Sequence, residues 1–222
     1  MNLWKFLVLS LLFTASCEKG PSLDSPEINA IKILKNSIEN HGRTKEFVDV
    51  RKLVSPSKIK SSKIPLLYVE LASGQNALLA RYPGEGNGTT WLGADGSTVT
   101  FKNGVLKATR GLGYDLMGST NNMPKWDNIK NGEKYKLTFA YLRGNNSIKI
   151  YEYICSMEKS TKEKQINIFN DLLDTVEFKE KCKHGIKEIT NKYYLNKNGS
   201  VVKSKVFHSD KIGYILTELS ND

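Results

Sequence analysis

Nowhere does this 222-residue chain hold an apolar run long enough to cross a membrane as a helix, which takes about 20 residues. Its longest, Phe6 to Phe13, is eight residues with one serine. No strand–helix–strand alternation is visible, which disfavours a doubly wound nucleotide-binding fold. The formal net charge is +10, yet the lysines are scattered (Lys35, Lys58, Lys102, Lys149, Lys183, Lys203) and form no long basic block. That argues against a nucleic-acid arm. Catalytic signatures are missing too: there is no Gly-x-Ser-x-Gly, no Walker loop and no His-Glu-x-x-His. Gly111-Leu112-Gly113 is only a fragment of a dinucleotide loop. His41, His184 and His208 stand isolated and read as surface or structural residues. These absences lead us to expect no enzyme, no cofactor and no resident metal.

What is present begins at the N-terminus. Lys5 precedes the short apolar run, and Ala15-Ser16-Cys17 follows it. A positive start, an apolar stretch and small residues before a cleavage point make a secretory signal. With a cysteine next in line, the pattern resembles a lipobox, in which the cysteine thiol is acylated and the peptide is cut before it. We therefore expect residues 1–16 to be a signal peptide and Cys17 to carry lipid. Each buried methylene stabilises such an anchor by about 0.8 kcal/mol, and two or three chains hold it stably. Glu18 is not the aspartate of inner-membrane retention in enteric-type sorting. The expected location is thus the outer membrane, lipid-anchored and facing the periplasm. Residues 17–24, with Gly20 and Pro21, read as a tether.

Residues 25–222 are of a size for one domain. Charged residues at 25% and apolar ones at 39% suit a globular body. Removing residues 1–16 takes away Lys5 and lowers the formal net charge to about +9. Such a surface suits an acidic polysaccharide or anionic lipid, and an exported protein has little access to nucleic acid. With Cys17 lipidated, Cys155 and Cys182 remain, and an oxidising compartment favours a disulfide between them. A metal site is the rival, with His184 the only nearby imidazole.

Ser25 and Pro26 can open a helix whose Ile28, Ile31, Leu34 and Ile38 share one face, ending at His41-Gly42. From Ile64 onward the pattern is strand-like. Ile64–Leu71, Ala77–Tyr82, Ser97–Lys102, Val105–Thr109, Lys134–Arg143, Ser147–Cys155, Ile186–Leu195, Ser200–Phe207 and Ile212–Leu219 are the runs, with shorter ones at Gln165–Phe169 and Thr175–Phe178. Asn103-Gly104, Gly144-Asn145-Asn146 and Asn196 to Gly199 mark turns. Asn-Gly between two such runs is a strong hairpin signal, because both turn positions need positive φ. The expected fold class is mainly β, an antiparallel sandwich or barrel with an N-terminal helix.

Sugar rings pack their C–H faces on aromatic planes. Trp91, Tyr114, Trp126, Tyr141 and Tyr194 are candidates for that role, although core packing competes for each. Thr109 and Arg143 join them as candidate glycan or partner contacts. Asp95 and Asp115 are also candidates, and as a carboxylate pair they carry the alternative of glycan cleavage. Asp95-Gly96 reads equally as a turn.

The segment Trp91-Leu92-Gly93-Ala94-Asp95-Gly96, followed by Phe101 through Leu116 with its Asn103-Gly104 turn and Thr109-Arg110-Gly111-Leu112, resembles the YjbF family of group 4 capsule polysaccharide lipoproteins, also called GfcB. Glu180-Lys181-Cys182, Asn191-Lys192-Tyr193-Tyr194, Gly199 and Ser204-Lys205 are similar to that family's C-terminal block. The chain departs from the pattern at Val105, Ala108, Tyr194 and Val206. The resemblance implies a mainly β outer-membrane lipoprotein that assists capsule or exopolysaccharide secretion or assembly beside an outer-membrane export channel or other export proteins. It supplies no catalytic residues. A structural envelope lipoprotein without glycan contact is the alternative.

Overall fold

Asn103 and Gly104 turn the chain with φ of 52° and 76° and join strand β4 (Thr98–Lys102) to β5 (Val105–Arg110). A second turn of the same backbone type, at Phe169 (φ 48°) and Asn170 (φ 70°), joins the two longest strands, β8 (Ile148–Ile168) and β9 (Asp171–His184). The other strands are β1 (Leu66–Leu71), β2 (Asn76–Tyr82), β3 (Thr89–Gly93), β6 (Leu116–Asn121), β7 (Lys134–Leu142), β10 (Lys187–Leu195), β11 (Val201–Ser209) and β12 (Gly213–Leu219). This computed structural model describes residues 49–54, 59, 64–83, 88–142 and 147–220. The expected signal peptide, Cys17, the tether, the helix after Pro26, Arg143 and the Gly144–Asn146 turn lie outside the described residues. One short helix, α1 (Val50–Leu53), is described near the N-terminus, its first turn capped by the Asp49 carboxylate.

The twelve strands of the described residues form one antiparallel sheet in the order β5-β4-β3-β2-β1-β12-β11-β10-β9-β8-β7-β6. The sheet curls until its two edges, β5 and β6, face each other. Of the two architectures expected from the strand pattern, the barrel is the one observed. No backbone ladder joins β5 to β6 among the described residues; side chains span the seam instead. Ser119 Oγ donates to the Leu106 carbonyl (2.6 Å), the Leu116 amide to Thr109 Oγ1 (2.9 Å), and Arg110 to the Leu116 carbonyl (2.9 Å).

Strand alternation sorts the residues. Leu67, Val69, Leu79, Trp91, Val99, Leu137, Phe139, Tyr153, Tyr193 and Ile215 point into the barrel and fill it. The outward faces of β9 to β11 carry Lys179, Lys181, Lys183, Lys192, Lys203 and Lys205. An apolar interior with a lysine-rich exterior is the reverse of a membrane-spanning barrel. A second apolar cluster lies outside the wall. Leu66, Tyr68, Leu78, Ala80 and Val202 face outward at one end and are covered by Val50, Ile59 and the hairpin tip residues Ile168 and Phe169. The β8–β9 hairpin gains the bend it needs from a bulge: Lys159 to Glu163 on β8 opposes only Phe178 to Val176 on β9.

Candidate functional site

Among the described residues one end of the barrel is open, the end where β1, β3, β5 and β11 begin. A cavity of 920 Å³ occupies it, within the range of small-molecule sites, about 300–1,000 Å³. Its apolar lining includes Trp91, Phe101 and Trp126; its charged lining is Arg81, Lys102, Lys107 and Lys125 against Asp127. Trp126 sits in a 3-10 turn (Trp126–Asn128), its indole N–H donating to the Asn103 carbonyl (2.8 Å) and its ring against Phe178 and Tyr193. The Asn103–Gly104 turn reaches across the opening, and only the missing side chain at Gly104 lets it meet Val201 on the far wall. Lys107 Nζ donates to the Ser119 carbonyl (3.2 Å); burial and the Lys102 charge push its ammonium below the usual lysine range. Among the described residues, none of the four lining cations has a carboxylate partner.

The opposite end is plugged. Thr109 Oγ1 lies 3.0 Å from His208 Nε2 across the bore and 3.3 Å from Asp115 Oδ1. Tyr141 donates its hydroxyl to the His208 carbonyl, and Tyr114 stacks on Tyr141 with ring centroids 5.2 Å apart. Burial lowers the His208 imidazole to about 4. Midway along the bore, buried Glu180 accepts from Tyr135, from Asn191 (2.6 Å) and from Tyr193 (3.1 Å). Its desolvation raises the carboxyl above the ordinary range, and the Tyr135 hydroxyl is raised as well, first by burial and then by Glu180. Cys155 and Cys182 form a disulfide between directly opposed residues of β8 and β9. Glu180 comes within 4.8 Å of both sulfurs. That trio has the composition of a metal site, but the sulfurs are bonded to each other and the carboxylate is held by its three donors.

The sequence candidates thus part company. Trp91 and Trp126 meet at the open end. Thr109, Tyr114, Asp115 and Tyr141 meet at the plugged end. Asp95 accepts from the Ser97 amide (2.9 Å) and hydroxyl (2.7 Å) within the β3–β4 turn. Asp115 accepts from the backbone amides of Gly111 (2.9 Å) and Leu112 (3.0 Å). Tyr194 lies on the outer wall, with Lys164 Nζ 5.6 Å from its ring centroid. Arg81, Lys107, Glu180 and His208 were not among the candidates. For Glu180 a signal existed, since alternation through Phe178, Glu180 and Cys182 puts the carboxylate on the apolar face. Arg81 and Lys107 come together only when the sheet closes.

A family model described as group 4 capsule polysaccharide lipoprotein gfcB, YjbF matches residues 45–219. The fold is similar to that of the lipoprotein YmcC from Escherichia coli (K12), with a TM-score of 0.66 and 18% identity over 82% of this chain and 98% of that one. An exported protein with a YmcC-like fold from Bacteroides fragilis aligns at a TM-score of 0.33 and 11% identity, over 71% of this chain and 94% of that one. No curated protein matches.

Proposed function

This chain belongs to the YjbF family of group 4 capsule polysaccharide lipoproteins, and from that premise we propose that it is a lipid-anchored, non-enzymatic accessory protein of capsule or exopolysaccharide secretion or assembly. In this reading residues 1–16 are the leader, Cys17 carries the acyl chains, residues 17–24 are the tether, and residues 25–222 are one body held at the outer membrane and facing the periplasm. The family description supports an envelope location and a capsule-associated role. The observation that carries the non-enzymatic part is the state of the carboxylates. Asp95 and Asp115 are each bound to backbone amides of their own turns, and Glu180 is enclosed by three donors. A glycosidase needs two carboxyl groups flanking a substrate, one of them free to give up a proton. The export channel would be the partner, with this protein beside it.

Deletion of the gene and complementation with wild type, Cys17→Ala or Asp95→Asn/Asp115→Asn test the proposal. Capsule or exopolysaccharide should fall on deletion and return with the wild type. Cys17→Ala should leave the membrane fraction and fail to complement. The aspartate variant should complement with polymer length unchanged. Undiminished polymer on deletion, or an unacylated mature N-terminus by mass spectrometry, overturns the reading.

A further inference from the structure

We propose that the open end of the barrel is a blind cup that takes the end of a carboxylate-bearing polysaccharide chain. The inference rests on the capsule-associated reading above and names the substrate class of this site. Three features of the cavity carry it. The first is its charge. Among the described residues, Arg81, Lys102, Lys107 and Lys125 converge on one opening with Asp127 alone opposing them. Cations held together without partners repel, and an anionic ligand relieves that repulsion while a neutral one does not. Lys107 feels it most: it is partly buried, and the nearby Lys102 charge adds to its loss of solvation.

The second feature is the apolar part of the lining. Trp91, Phe101 and Trp126 give the cup a non-polar floor beneath a basic rim. Sugar rings need both kinds of surface, one for their C–H faces and one for their charged substituents. A bare phosphate or a single carboxylate would use only the rim.

The third feature is the closed bore. Beyond the floor the interior is filled by Tyr135, Leu137, Phe139, Tyr153 and Tyr193, and the far end is tied across by Thr109 and His208. A polymer cannot thread this barrel. The cavity has room for a short oligosaccharide, so a long chain enters by its terminus and the rest remains outside.

Oligogalacturonides serve as the carboxylate probe, maltotriose as the neutral one, and long polygalacturonate as the polymer. Calorimetry on the purified full-length protein should give one site for an oligogalacturonide and about one protein per polygalacturonate chain end. Combining Arg81→Gln, Lys102→Gln and Lys125→Gln, which spares the seam-bridging Lys107, should weaken binding by about tenfold or more with the melting temperature kept. Lys192→Gln on the outer wall should change nothing. Three results would overturn the inference: equal binding of maltotriose, many proteins per polymer chain, or undiminished binding by the triple variant. The two proposals separate in cells. If deletion abolishes the capsule and the triple variant restores it fully, the cup is wrong and the accessory role stands. If deletion leaves the capsule intact while the purified protein binds oligogalacturonide through the rim, the accessory role is wrong and the cup stands.

Discussion

Thr109 on β5 and His208 on β11, 99 residues apart in sequence, meet across the barrel bore with Thr109 Oγ1 3.0 Å from His208 Nε2. His208 is fully buried, and its other ring nitrogen lies 3.1 Å from Ser209 Oγ. Burial holds the imidazole at about 4, against an ordinary value of 6.5. The unfolded chain therefore takes up this proton before the folded one does. The associated stability is fully present above pH 6.5 and is lost as the pH falls toward 4, amounting to about 3 kcal/mol. Urea denaturation at pH 7.5, 5.5 and 4 should show the decline. In His208→Gln that part of the pH dependence should vanish, leaving only what the carboxylates contribute.

Thr109→Val is nearly isosteric and deletes the hydroxyl on which three groups converge. The Leu116 amide and His208 lose a partner, and Asp115 loses one of its contacts. Leaving buried groups unsatisfied should cost about 2 kcal/mol. Hydrogen exchange localises the effect, since the Leu116 amide should exchange faster while amides of the β10–β11 ladder keep their protection.

Removing the disulfide with Cys155→Ala/Cys182→Ala opens a covalent loop spanning 27 positions. On the loop-entropy model the loss is about 3.5 kcal/mol. The double variant should melt lower than wild type in oxidising buffer, and a reductant should narrow the gap. An unchanged melting temperature would show that the bond does not constrain the unfolded chain.

Glu180 gathers Tyr135, Asn191 and Tyr193 in the middle of the core. Glu180→Ala should destabilise by about 3 kcal/mol or more, because it creates a cavity and strands three donors at once. Glu180→Gln keeps one acceptor oxygen and should cost less. Its raised carboxyl means that the wild type gains stability relative to Glu180→Gln as the pH is lowered through its folded value. Paired denaturation curves would show that gap widening as the pH falls.

The hairpin tip can be tested separately. Ile168 and Phe169 cover Leu66, Tyr68 and Ala80 on the outer wall. Ile168→Ala should cost about 2–4 kcal/mol. Limited proteolysis should then cut within residues 160–170 before it cuts elsewhere.

Much of this architecture is legible in the sequence because hairpins are local. Asn103-Gly104 specifies its turn by chemistry, and the alternation of Tyr135, Leu137, Phe139 and Tyr141 specifies which way β7 faces. The cysteine pair follows from the cysteine count and an oxidising compartment, and it is a directly opposed cross-strand pair. The long β8–β9 hairpin reads only as fragments, for two physical reasons. Residues 158–165 are exposed on both faces and show no alternation, and the turn at Phe169-Asn170 uses no glycine. β3 and β6 are short enough that single residues, Trp91 and Leu116, carry their inward pattern. The cup is less legible still. Its cations come from β2, from either side of the β4–β5 turn and from the segment before Trp126, and nothing in their spacing announces that ring closure will bring them together. For the same reason Trp91 and Trp126 part from Tyr114 and Tyr141 at the two ends of one cylinder, while Tyr194 lies on its outer wall.

Eleven neighbouring strand pairs share backbone ladders, and the twelfth line of the cylinder is stitched by side chains. A wall made this way has a built-in slit. Parting it strands no backbone ladder, so local opening should start there and give a C-shaped sheet rather than a frayed terminus. The two lips are consecutive in the chain, with only residues 111–115 between them. So short a leash makes reclosure a local search of small entropic cost, and the same slit that lets the cylinder gape also lets it snap shut.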